Sequence, residues 1–157
     1  MRNFAMKMVI GIAITSLGLF AADNSIGTWK RNIAKSTSTT TNPNPYTSQT
    51  TVREAVAGGV KVTSTGVRKD GKAANGSYTA KYDGKFVPMA GGGAYDSIAI
   101  KQVDANTFTS EAKNTGGKYK MKGKTVVASD GKTMTSTLSG TDADGKPVSL
   151  TTVYDKQ

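Results

Sequence analysis

Residues 117–154, GKYKMKGKTVVASDGKTMTSTLSGTDADGKPVSLTTVY, decide the fold. Two triplets, Asp130-Gly131-Lys132 and Asp144-Gly145-Lys146, cut the stretch into three segments rich in Thr, Val and aromatic residues. Each segment alternates in the two-residue period of a β-strand. Asp-Gly between alternating runs marks a hairpin, because Gly takes the positive φ that a twisted two-strand turn requires. The stretch predicts a three-stranded antiparallel meander.

The same triplet recurs upstream at Asp70-Gly71-Lys72 and Asp83-Gly84-Lys85. Residues 25–34 read as a first strand carrying the single Trp, Trp29. Residues 35–46, KSTSTTTNPNPY, have two Pro and no apolar period, so they read as a loop, with disorder left open over 35–50. Residues 48–57 place Val52 and Val56 on one face, Gly58-Gly59 breaks the run, and a strand follows from Val60 to Val67. Tyr78, Ala80 and Tyr82 alternate with polar residues, as do Ile98 and Ile100, and Phe108 opens a strand ending near Asn114. Residues 86–95, with Pro88 and three consecutive Gly, read as irregular. Some nine or ten short strands with no helical window predict an all-β fold, an antiparallel up-and-down meander closed as a barrel or folded as a sandwich. The triplets are unequally spaced, so they are not a solenoid repeat.

The first residues stand apart from this domain. Arg2 and Lys7 precede an apolar run over 8–20, and Ala21-Ala22 follow. That order is a secretory signal peptide, removed near residue 21, and the run is shorter than the roughly 18 residues a membrane span needs. The expected organisation is a signal peptide over 1–21 and one domain over 22–157, secreted or periplasmic, with no transmembrane segment in the mature chain. The sequence has no Cys, which rules out both a lipidated-Cys anchor and a disulfide. It has 21 Lys and Arg against 11 Asp and Glu.

The absence of His is the most informative chemical fact. It removes most metal sites, every Ser-His-Asp arrangement and every imidazole acid–base pair. Nine of the eleven carboxylates are Asp, mostly in predicted turns. The sequence therefore points away from an enzyme, and no cofactor is expected. Residues 141–145, TDADG, begin like a calcium loop, but Lys146 and Pro147 follow where ligands belong, so a plain turn is the reading. Lys118, Lys120, Lys122 and Lys124, spaced by two, would share one face of a strand. Such a stripe could face an anionic polymer or membrane, or simply solvate an outer face and discourage aggregation. It lacks aromatics for base stacking, so nucleic acid is not expected.

Gly27-Thr28-Trp29-Lys30 and the ending Thr151-Thr152-Val153-Tyr154-Asp155-Lys156 resemble the calycins, the superfamily of lipocalins and fatty-acid-binding proteins. There a Gly-x-Trp opens the first strand and a Tyr-acidic-Lys ending closes the last against it. The Asp-Gly-Lys turns and Tyr95-Asp96-Ser97-Ile98-Ala99-Ile100-Lys101 resemble secreted bacterial proteins of lipocalin-like type, a likeness that carries a fold and no activity. The resemblance implies a lipocalin-like β-barrel with Trp29 capping one end from inside. It also points Val148, Leu150, Thr152 and Tyr154 inward. Thr152 stands where fatty-acid-binding proteins carry an Arg that grips the ligand carboxylate, so that route is not expected here. By period, Tyr78, Tyr82, Ile98, Ile100, Phe108, Met121 and Met134 join this lining. An apolar lining with a few hydroxyls suits a small uncharged hydrophobic or aromatic ligand. The alternative is a barrel filled by its own side chains, acting through the lysine face on an envelope polysaccharide, lipid headgroup or protein.

Overall fold

The structure, a computed structural model, describes residues 22–39, 46–91 and 93–157. The expected signal peptide over 1–21 lies outside the described residues.

Ten strands form one antiparallel sheet: β1 (Gly27–Ser38), β2 (Tyr46–Val56), β3 (Gly59–Arg68), β4 (Gly76–Lys81), β5 (Val87–Pro88), β6 (Ser97–Gln102), β7 (Thr107–Lys113), β8 (Lys120–Val127), β9 (Thr133–Thr141) and β10 (Pro147–Lys156). The order is β4-β3-β2-β1-β10-β9-β8-β7-β6-β5, so every neighbour is sequential except β1 against β10. That one pairing joins the chain's two halves, with Trp29 opposite Lys156 and Arg31 opposite Tyr154. The ends of the sheet meet in two isolated bridges, Ser77 with Ala90 and Asp83 with Lys101. Ser77 and Ala90 exchange both backbone hydrogen bonds at 2.9 Å. The fold is a nearly closed up-and-down barrel, with no helix among the described residues.

Three of the four Asp-Gly-Lys triplets, at 70–72, 130–132 and 144–146, make hairpin turns, whereas Asp83 bridges Lys101 and the Gly84 N–H donates to Ile100 C=O at 3.0 Å. Gly71, Gly84, Gly131 and Gly145 have φ between 68° and 85°, which costs a residue with a Cβ about 1–2 kcal/mol. The Gly71 N–H donates to Arg68 C=O and that of Gly131 to Ala128 C=O, each at 2.9 Å, so these turns are longer than two residues and end on the left-handed Gly. Asp70, Asp83 and Asp130 accept from the Lys N–H two residues on. In the fourth turn Asp142 takes this role, accepting from Asp144 and Lys146 N–H.

Two expectations are corrected. The loop expected from residue 35 begins later: β1 runs to Ser38 because a bulge absorbs the polar run. Asn32 faces Val153 and Thr37 faces Thr151, so the six residues 32–37 of β1 span only the three residues 151–153 of β10. Ser36 stitches the bulge, donating its hydroxyl to Asn32 C=O and accepting from Val153 N–H. A short strand, β5, also lies within the irregular stretch; Pro88, lacking an N–H, sits at the sheet's end strand, where a lost donor costs least.

The core has two clusters. Val60, Val62, Ala80, Ile98, Ile100, Phe108 and Ala112 form one, and Trp29, Val127 and Met134 the other, with Tyr154 against it. Each large apolar side chain buried this way contributes about 1.5–3 kcal/mol.

Candidate functional site

The barrel has a floor, a wall and a mouth. Residues 22–26, expected to enter the first strand from Ser25, instead build the floor. Ser25 is fully buried, and its backbone C=O accepts from Trp29 Nε1–H at 2.7 Å. Asp23 accepts from the Ser25 backbone N–H and hydroxyl, and from the Tyr82 hydroxyl. Arg53 Nε donates to Ser25 Oγ at 2.9 Å, and its guanidinium lies 5.6 Å from the Phe108 ring centre. Nearly every polar atom here is paired, as burial demands.

Above the floor is a cavity of about 180 Å³. Its wall carries hydroxyls that bond across strands: Thr51 with Ser64 at 2.9 Å, and Thr125 with Ser136 at 2.7 Å. Tyr95 and Tyr119 stack near the mouth, ring centres 5.8 Å apart. Burial raises the pKa of Tyr78, Tyr95 and Tyr154; neighbouring tyrosines push Tyr95 further up, while Arg53 opposes the shift at Tyr78. Their hydroxyls therefore stay neutral donors and acceptors throughout the physiological range.

Of the residues expected to line the interior, Tyr78, Ile98, Ile100, Phe108, Met134, Thr152 and Tyr154 surround this cavity. Tyr82 instead belongs to the floor. Met121 is buried opposite Ala112 and Gly140, away from the cavity. Leu150 pairs with Leu138, and Leu138 rather than Leu150 reaches the lining. On the outer face, Lys120, Lys122 and Lys124 alternate with inward residues as expected, but Lys118 lies in the preceding turn, so the stripe has three strand members. Lys122 pairs with exposed Glu111 at 3.3 Å, which dilutes that face's charge.

The polar lining was missed, and β2 is the reason. Val52 and Val56 share one face, as expected, but it is not the inner one: Val56 is exposed while Thr51 and Arg53 are buried. The hairpin register explains the inversion. Val56 faces Gly59, so Arg53 faces Val62 and Thr51 faces Ser64, and directly opposed residues share a face. Val60 and Val62 pack inside with Ala80, Ile98 and Ile100, and Arg53, opposite Val62, follows them in. Only 8% of Arg53 remains exposed. Counting back from the Gly58 turn would have revealed it. On β1 the buried Trp29 likewise fixes Arg31, two residues on, to the inner face.

The interior is therefore charged. Among the described residues two guanidiniums face inward, Arg53 on the cavity wall and Arg31 beside it opposite Tyr154, where an apolar lining with a few hydroxyls was expected. Arg31 Nη1 donates to Gln49 Oε1 at 3.1 Å, and Gln49 lines the cavity.

No family model matches the chain, and no curated protein matches it. Among solved structures it is similar to a redesigned β-barrel, at 14% identity and a TM-score of 0.49, over 87% of this chain and 96% of that one. It is also similar to the zebrafish ileal bile acid-binding protein complexed with cholic acid, at 9% identity and a TM-score of 0.48, over 86% of this chain and 100% of that one.

Proposed function

We propose that the protein binds a small organic molecule, non-covalently, inside its barrel. The carrying observation is the cavity itself, about 180 Å³, closed below by residues 22–26 and lined by both aromatic rings and hydroxyls. Its size sets the ligand's scale. A cavity of about 150 Å³ accepts benzene, whereas drug-sized ligands occupy roughly 300–1,000 Å³. One ring with one or two substituents fits; a long acyl chain or a fused-ring steroid does not. Binding rather than catalysis is the reading, because the one carboxylate on the floor, Asp23, is engaged by Ser25 and Tyr82. The proposal includes export from the cytoplasm, supported by the charged start and apolar run over 1–21.

Native mass spectrometry of gently purified protein tests this. A stoichiometric added mass is expected, lost on organic extraction, and absent from Ser136→Leu, which places extra methyl groups on the lining. A bare mass for the wild type, with no uptake from small-molecule extracts, would refute it.

A further inference from the structure

Arg31 and Arg53 bring two positive charges into the barrel, and their surroundings differ. Arg53 has a relayed counter-charge: its Nε donates to Ser25 Oγ, and Ser25 donates on to Asp23. Arg31 has no such relay. Its Nη1 bonds the neutral Gln49, and its guanidinium lies 5.0 Å from the Tyr46 ring centre. Its Nε is buried with no hydrogen-bond partner. No carboxylate lies within ion-pair distance of it among the described residues, and residues 1–21, 40–45 and 92 contain no Asp or Glu. An inward cation with a free donor and no counter-ion is costly unless something else supplies the charge.

The cross-strand partner of Arg31 is Tyr154, and the side chain it bonds is Gln49; both line the cavity. A group at this point would meet a guanidinium donor, an amide and a phenol together. A planar carboxylate fits that set best, since it offers two acceptor oxygens to a guanidinium edge. The attached ring would lie toward Tyr78, Ile100 and Met134, across the hydroxyl belt.

Resting on the binding reading above, we propose that the ligand is a one-ring organic carboxylate, held by Arg31 near the mouth of the barrel. This departs from the uncharged ligand expected from the sequence, and it differs in place from a grip at position 152. Arg53 is a positioning residue: it fixes the floor through Ser25 and adds positive potential below the ring.

The test is calorimetric titration of the full chain with benzoate, 4-hydroxybenzoate and phenylacetate, each against its neutral amide, at low salt and pH 7. At least one carboxylate is expected to bind about tenfold or more tighter than its amide, as a charge-assisted hydrogen bond implies. Arg31→Gln should abolish that preference. Lys120→Gln, on the outer face, should leave the preference intact. Equal affinities for acid and amide on the wild type would overturn the carboxylate and leave the container standing, a comparison that needs no variant to fold. A preference that survives in Arg31→Gln would also overturn it, by assigning the effect to net charge. Binding by neither class would remove both readings.

Discussion

Raising the pH above 10 should destabilise this barrel through its tyrosines. Burial holds the hydroxyls of Tyr78, Tyr95 and Tyr154 above the usual phenol range, so the native state keeps protons that the unfolded chain releases near pH 10. Where the unfolded state binds fewer protons, stability falls as pH rises. The contribution of these groups is fully present below pH 10 and is lost progressively above it. One pH unit above the unfolded value, each group costs at most about 1.4 kcal/mol, so three cost at most about 4. Part of each ring faces the cavity, which screens the effect, and a loss of about 2–4 kcal/mol between pH 9 and 11 is the expectation. Against a typical total of about 5–15 kcal/mol, that is a large fraction. Urea midpoints at pH 8, 9, 10 and 11 measure it directly, with phenolate absorbance at 295 nm followed on the same samples. The native phenolate curve should lag the denatured one and then rise together with loss of the far-ultraviolet β signal. Coincident native and denatured curves near pH 10, with the β signal intact, would refute the buried-phenol argument. So would midpoints that stay flat over that range.

Four further substitutions have outcomes set by the structure. Trp29→Phe removes the Nε1–H donor from Ser25 C=O and should cost about 1–3 kcal/mol in urea unfolding, besides the smaller ring's lost contacts; an unchanged midpoint would show that the floor does not depend on this bond. Gly140→Ala places a Cβ 2.0 Å from the Lys120 carbonyl oxygen, so β8 and β9 must separate there, at about 1–3 kcal/mol or more. Gly131→Ala meets no atom within 4 Å and should cost only its left-handed φ, about 1–2 kcal/mol, so equal losses at 131 and 140 would discredit the steric argument. Glu111→Gln breaks the exposed pair with Lys122 and should shift the midpoint by less than about 0.5 kcal/mol; a larger loss would mean the outer face is more than solvated charge.

The barrel was legible because its signals are local. A Gly at a positive φ, an Asp that caps the turn and a two-residue alternation each act within a few residues, and together they set the meander. The β1 extension was not legible, because it depends on Ser36 bridging Asn32 and Val153, a contact between residues 117 positions apart. The floor was hidden for the same reason: Asp23 meets Tyr82 across 59 residues, and nothing at residue 23 announces a partner.

The charge of the interior failed to show for a different reason. Taken alone, β2 offers Val52 and Val56 as its apolar face. Parity along a strand is binary, and in a hairpin it is shared with the neighbour. The two-residue turn at 57–58 locks Arg53 against Val62, so the face of β2 is decided on β3. Val60 and Val62 there join the core cluster, and β2 gives up Val56 to solvent in exchange for burying Thr51 and Arg53. The exchange is tolerable because residues 22–26 reach Arg53 with a hydroxyl backed by a carboxylate. At Arg31 no comparable partner arrives, although Trp29 commits that side chain inward just as firmly. Packing therefore accounts for both arginines being inside, but supplies a counter-charge to only one, and the difference between them is what makes the ligand's charge a question with a definite answer.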